Sequence, residues 1–70
     1  VSGSMFRVRV ECRHQEMGEK GRLSRDSRWW QSYDVFADDS KAAAAHASYQ
    51  AREQWPQATS VLINNVKEGL

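Results

Sequence analysis

The sequence predicts a small α+β domain of order β-β-α-β: a three-stranded, mainly antiparallel sheet in strand order 2-1-3, with one helix packed on one face. Three observations carry this. Residues 5–13 alternate apolar and charged side chains with a period of two, residues 29–37 repeat the alternation with aromatic residues, and residues 41–54 form an alanine-rich run closed by Trp55-Pro56. A chain of 70 residues that is 40% hydrophobic has room for a single core and little surface for a deep cleft.

In the first strand Phe6, Val8, Val10 and Cys12 point one way and Arg7, Arg9, Glu11 and Arg13 the other. Ahead of it, Val1-Ser2-Gly3-Ser4 reads as a cloning remnant before Met5, which leaves 5–70 as one small domain. Residues 15–28 hold Gly18, Gly21 and many charges with no apolar period, so they read as a mobile connection. The second strand sets Trp29, Tyr33, Val35 and Ala37 against Trp30, Ser32, Asp34 and Phe36. Asp39 or Ser40 caps the helix, because a short oxygen-bearing side chain can accept the orphan amides of a first turn. Pro56 disfavours helical geometry in the residue before it, so the helix ends near Gln54. Ala44, Ala47, Ser48 and Ala51 form the stripe that lets its backbone approach a sheet, with Trp55 or Tyr49 at the margin. The third strand lies within 58–66, with Val61 and Ile63 on one face and Leu62, Asn64 and Val66 on the other.

A right-handed crossover that skips one strand sets the third beside the first. Order 1-2-3, with the second and third strands parallel, is the competing topology. In order 2-1-3 the core side holds Phe6, Val8, Val10, Tyr33, Val35, Ala44, Ala47, Ala51, Val61 and Ile63.

Net charge is +1, with seven basic and five acidic residues in 1–35 against three and four in 36–70. A committed nucleic-acid binder is usually far more basic. Cys12 is the single cysteine, so no intramolecular disulfide staples the domain and the expected compartment is the reducing cytoplasm. No stretch is long and apolar enough to span a membrane. Cys12, His14 and His46 lack the paired short spacings of a structural zinc site. Cys12 reads as a small core residue, and Asp38-Asp39 as helix-capping carboxylates. With no glycine-rich phosphate loop and no Ser/His/Asp set, the sequence points to no enzyme, no cofactor and no metal.

Two surfaces remain as candidate partner-binding sites. The sheet face away from the helix is expected to carry Arg7, Arg9, Trp30, Phe36, Leu62 and Val66. Aromatic and aliphatic residues rimmed by arginine match the composition enriched at protein interfaces. The segment from Lys20 to Trp30 carries Lys20, Arg22, Arg25 and Arg28 with one acid, Asp26, and ends in two tryptophans. Cations for phosphates and flat rings for bases suit nucleic acid, and the same cations suit an acidic protein. A homodimer through the open face is a further expectation.

The layout from Tyr33-Asp34-Val35-Phe36-Ala37-Asp38 through the helix to Ser60-Val61-Leu62-Ile63 resembles small phage and mobile-element proteins of anti-CRISPR type. The resemblance covers most of residues 5–68 in architecture and carries over no functional residue, since those inhibitors share no motif. It implies a non-enzymatic protein that binds a host defence effector complex of CRISPR-Cas type and blocks its action. The alternatives are a small nucleic-acid-binding accessory protein that uses the basic segment, and a homodimerising structural module.

Overall fold

A computed structural model describes residues 3–69. The chain runs β1 (Ser4–Met17), a short 3-10 turn (Glu19–Gly21), β2 (Leu23–Ala37), α1 (Ser40–Gln54) and β3 (Ser60–Glu68). The sheet has order β2-β1-β3, with β1 antiparallel to both neighbours. This is the 2-1-3 topology that the crossover rule favours, and the 1-2-3 alternative is excluded because β3 pairs with β1. Ser4 opens β1 opposite Ala37, so the strand starts one residue before Met5. Val1 and Ser2 of the expected remnant lie outside the described residues.

The helix forms where capping and composition direct it. The Asp39 carboxylate accepts the Ala42 amide at 2.7 Å, and the Asp39 carbonyl accepts the Ala43 amide. At the other end the Trp55 amide still reaches the Ala51 carbonyl at 2.8 Å, and Pro56 follows. The buried stripe is Ala43, Ala47 and Ala51, one residue out of phase with the expected Ala44 at its first position. Ala44 is half-buried, because spacing by four places Ala43 squarely on the axis facing the sheet. Methyl-sized side chains let the helix lie close over Phe6, Val8, Val10 and Cys12 of β1, with Val35, Ala37 and Val61 flanking them. Among the described residues no charged, amide or hydroxyl side chain is buried in that core, and the buried polar side-chain atoms without a partner are the indole nitrogens of Trp29 and Trp55 at its margin.

Trp29 and Trp55 close the core at the helix C-terminus, their rings edge to face at 5.5 Å. The Tyr33 hydroxyl donates to Gln54 Oε1 at 2.5 Å, which ties β2 to the last helical turn. Burial pushes the Tyr33 phenol up. Trp55 is the marginal residue that packs on the core, whereas Tyr49 is exposed.

Further expectations fail for identifiable reasons. Residues 15–28 are not a mobile connection, since β1 and β2 continue as a paired hairpin out to Met17 and Leu23. This arm runs beyond the helix and has no core to face, so nothing imposes an apolar period on it. Backbone pairing and cross-strand charges hold it instead. Its turn is tight, with the Gly18 amide donating to the Arg22 carbonyl at 2.6 Å and Lys20 and Gly21 both at positive φ. On β3, Val66 lies on the helix side, not the open face. The pairing jumps from Arg9↔Asn65 to Val10↔Ile63, so Asn64 is bulged out and the parity of everything after it reverses. Ile63 keeps its expected side opposite Val10 but is exposed at the sheet edge.

Candidate functional site: the open face of the sheet

Antiparallel register sorts the uncovered face into rows across β2, β1 and β3. Phe36 and Met5 form the first row, followed by Asp34–Arg7–Lys67, Ser32–Arg9–Asn65, Trp30–Glu11–Leu62 and Arg28–Arg13–Ser60. Asp26 and Gln15 continue it onto the arm. Phe36 is 63% exposed and Trp30 45%. Leu62 and Met5 are also exposed, so apolar area lies in two bands separated by polar rows. Phe36 is seated over the backbone of Gly3, where an added Cβ would come within 2.6 Å of the ring.

The arginines of this face are mostly engaged. Arg7 Nε lies 2.9 Å from one oxygen of Asp34, and its second nitrogen reaches the other oxygen. Arg13 grips Asp26 in the same bidentate manner at 3.1 and 2.9 Å. Each arginine holds its aspartate below the usual carboxylate range, mainly through the side-chain hydrogen bond. Arg28 Nε stands 3.7 Å from Glu11, between the two tethered pairs. Arg9 and Lys67 make no ion pair among the described residues. The Arg9 guanidinium lies instead 5.9 Å from the centre of the Trp30 ring, within cation–π range. Exposed pairs of this kind add little stability individually. Their structural effect is to fix long side chains flat on the sheet, which lowers the entropy lost when a partner covers them.

Of the residues predicted from sequence, Arg7, Arg9, Trp30 and Phe36 do share this face, and Leu62 joins them. Val66 does not, for the reason given above. The basic segment is not a single site. Lys20 sits in the turn, Arg22 precedes β2, and Arg25 and Arg28 occupy opposite faces of β2. Arg28 belongs to the open face, whereas Arg25 shares the helix side with His14 and Glu16. Periodicity alone sets Glu11 and Asp34 on this side without marking them as binding residues, and it does not place Met5 or Lys67 there. For Asp34 the signal was present: it alternates in phase with Trp30 and Phe36, and a hairpin register would have set it beside Arg7.

Cys12 is buried beneath the helix, and desolvation pushes its thiol up, away from the reactive thiolate. His14 lies on the same side of β1, but its ring is taken up by the Gln57 carbonyl and Glu16. Among the described residues no helix is long and apolar enough to cross a membrane. Comparison of the chain with protein-family models, curated proteins and solved structures finds no match.

Proposed function

We propose that the chain is a non-catalytic binding protein that acts in the cytoplasm and engages a protein partner through the open face of its sheet. The observation that carries this reading is the arrangement of exposed Trp30, Phe36, Leu62 and Met5 on one face among arginines already oriented by carboxylates. Trp and Arg are the residue types that most often dominate interface energetics. The face is three strands wide from Arg7 to Arg13 and continues two strands wide onto the arm, so its apolar and arginine residues lie on one continuous surface of the kind that a protein partner covers.

Charge complementarity favours an acidic protein surface. Five cations (Arg7, Arg9, Arg13, Arg28 and Lys67) face three carboxylates (Glu11, Asp26 and Asp34) on this side of the sheet. Nucleic acid is the second reading, and the dispersal of Lys20, Arg22, Arg25 and Arg28 around the hairpin weakens it, since no continuous cationic track results. In the particular form suggested by the resemblance to phage-borne inhibitors, the partner is a host defence effector complex of CRISPR-Cas type, and covering its working surface blocks its action.

The test uses the tagged protein, purified effector complexes and nuclease treatment. Nuclease-resistant, stoichiometric capture that blocks target-DNA binding is the expected result, and Trp30→Ala with Phe36→Ala should abolish it while circular dichroism stays unchanged. Capture that disappears with nuclease would transfer the function to nucleic acid. Undiminished capture by the folded double variant would remove the open face from the site.

A further inference from the structure

We propose that β2 is a dimerisation edge, at which a second copy of this chain pairs its own β2 antiparallel about Gln31 to give a continuous six-stranded sheet. This inference stands on the β2 edge and draws from the open face only the ends of Arg28 and Asp34, which also meet Glu11 and Arg7 within the chain; cross-linking at Gln31 reads it separately from the function proposed above.

The order β2-β1-β3 leaves two edges, and they are unlike. β3 has features that protect a natural edge: it is bulged at Asn64 and carries Lys67 near its end, and at nine residues it is shorter than the fifteen-residue β2. β2 has none of them along most of its length. From Arg25 to Ala37 it contains no proline and no register break, it is rich in aromatic residues, and its two arginines are balanced by Asp26 and Asp34. An edge this long, regular and neutral is a template for another strand. Protection of β3 directs that strand to β2 and closes the assembly as a pair, whereas two open edges would propagate a fibre.

Symmetry restricts the register. An antiparallel pair of identical edges has its two-fold axis perpendicular to the sheet, so faces are preserved and the axis passes through a residue. Centring it on Trp30 would set Asp26 against Asp34 twice, placing like charges opposite each other. Centring it on Ser32 would set Trp30 against Asp34. Centring it on Gln31 sets Arg28 against Asp34 twice, Trp29 against Tyr33 and Trp30 against Ser32, with pairing from Arg25 to Ala37. Of these three registers, the one about Gln31 alone brings opposite charges together, and cross-strand pairs are what select among registers.

The helices permit it. Because α1 packs against all three strands it lies over β1, and the two β1 strands would stand three strand spacings apart, roughly 14 Å. Packed helices need about 8–10 Å between axes. The half-buried Trp29 and Tyr33 face that gap from both copies.

Sedimentation and cross-linking of the full chain test the proposal. The expected mass is that of two chains, and Gln31→Cys should form an intermolecular disulfide, since residues on the axis bring their Cα atoms within about 4.5–5.5 Å. Buried Cys12 does not compete. Asn64→Cys on the other edge should stay unlinked. Asp34→Lys should raise the dimer dissociation constant about tenfold or more by facing Arg28 with a like charge, with circular dichroism confirming the fold. A single-chain mass at about 1 mM, where even a 4 kcal/mol interface would be half-associated, overturns the proposal. So does a dimer that fails to cross-link through Gln31→Cys or that links through Asn64→Cys.

Discussion

At the scale of single residues, His14 carries the clearest consequence. Its Nδ1 lies 2.5 Å from the Gln57 carbonyl and its Nε2 3.0 Å from Glu16, so both ring nitrogens face acceptors. Only the imidazolium donates at both positions. The Glu16 hydrogen bond and then the Gln57 carbonyl hold His14 above the ordinary histidine value, and His14 in turn holds Glu16 below the ordinary glutamate value. The raised histidine adds stability that is present below its unfolded pKa and is lost as pH rises through the folded one. The lowered glutamate adds stability that is present above its unfolded pKa and is lost as pH falls through the folded one. The junction between arm and body is therefore tightest in the window between the ordinary Glu and His values, roughly pH 4.5 to 6.5. An NMR titration should place the His14 ring midpoint above that of a model peptide. His14→Gln should remove the part of the melting-temperature change that occurs as pH rises from 6 to 8. An unshifted midpoint would mean that the two acceptors are not engaged in solution.

At the scale of elements, the helix shows how much rests on small side chains. Ala43, Ala47 and Ala51 are fully buried against the sheet, and close approach depends on each ending at a methyl group. Ala47→Leu should overpack that contact and cost on the order of 1–3 kcal/mol in urea unfolding, with the far-UV spectrum retained. Ala45→Leu on the exposed side should cost little, and equal effects at the two positions would mean that the helix is not docked as described. The elements also show what was legible in the sequence and why. The alternation of Phe6, Val8, Val10 and Cys12 was readable because one face meets a core and the other meets water. The helix start was readable because Asp39 performs a local task that needs no tertiary context. The parity of β3 was not readable, since a single bulged residue at Asn64 reverses the face of Val66 without altering composition. The arm was hidden because both of its faces are wet, so its strands carry cross-strand pairs such as Arg13 with Asp26 instead of an apolar rhythm. The open face was half legible: periodicity placed Arg7, Arg9, Trp30 and Phe36 together, but the engagement of Arg7 by Asp34 depends on register between strands.

At the scale of the whole molecule, shape divides stability. The radius of gyration is 14.5 Å, whereas a compact chain of this length would have about 11 Å. The difference is the hairpin arm, which carries residues 14–27 past the helix. Every residue from Leu23 to Arg28 is exposed, and the turn Glu19–Gly21 buries nothing. Apolar burial is what makes opening costly, so the arm's backbone hydrogen bonds must open at far lower free energy than those of the body. Hydrogen exchange should resolve two cooperative units. Amides of Val8, Val10 and Cys12, which sit between two strands and under the helix, should exchange at the rate of global unfolding and slow with every increase in overall stability. Amides of the arm should exchange orders of magnitude faster and should not respond to Ala47→Leu, because that substitution acts on a core the arm does not touch. Uniform protection across both regions would show that something packs on the arm in solution. The long edge of β2 joins arm to body, and a second copy paired along it would extend protection from Arg25 to Ala37 in a concentration-dependent way, which separates association from intrinsic stiffness of the hairpin.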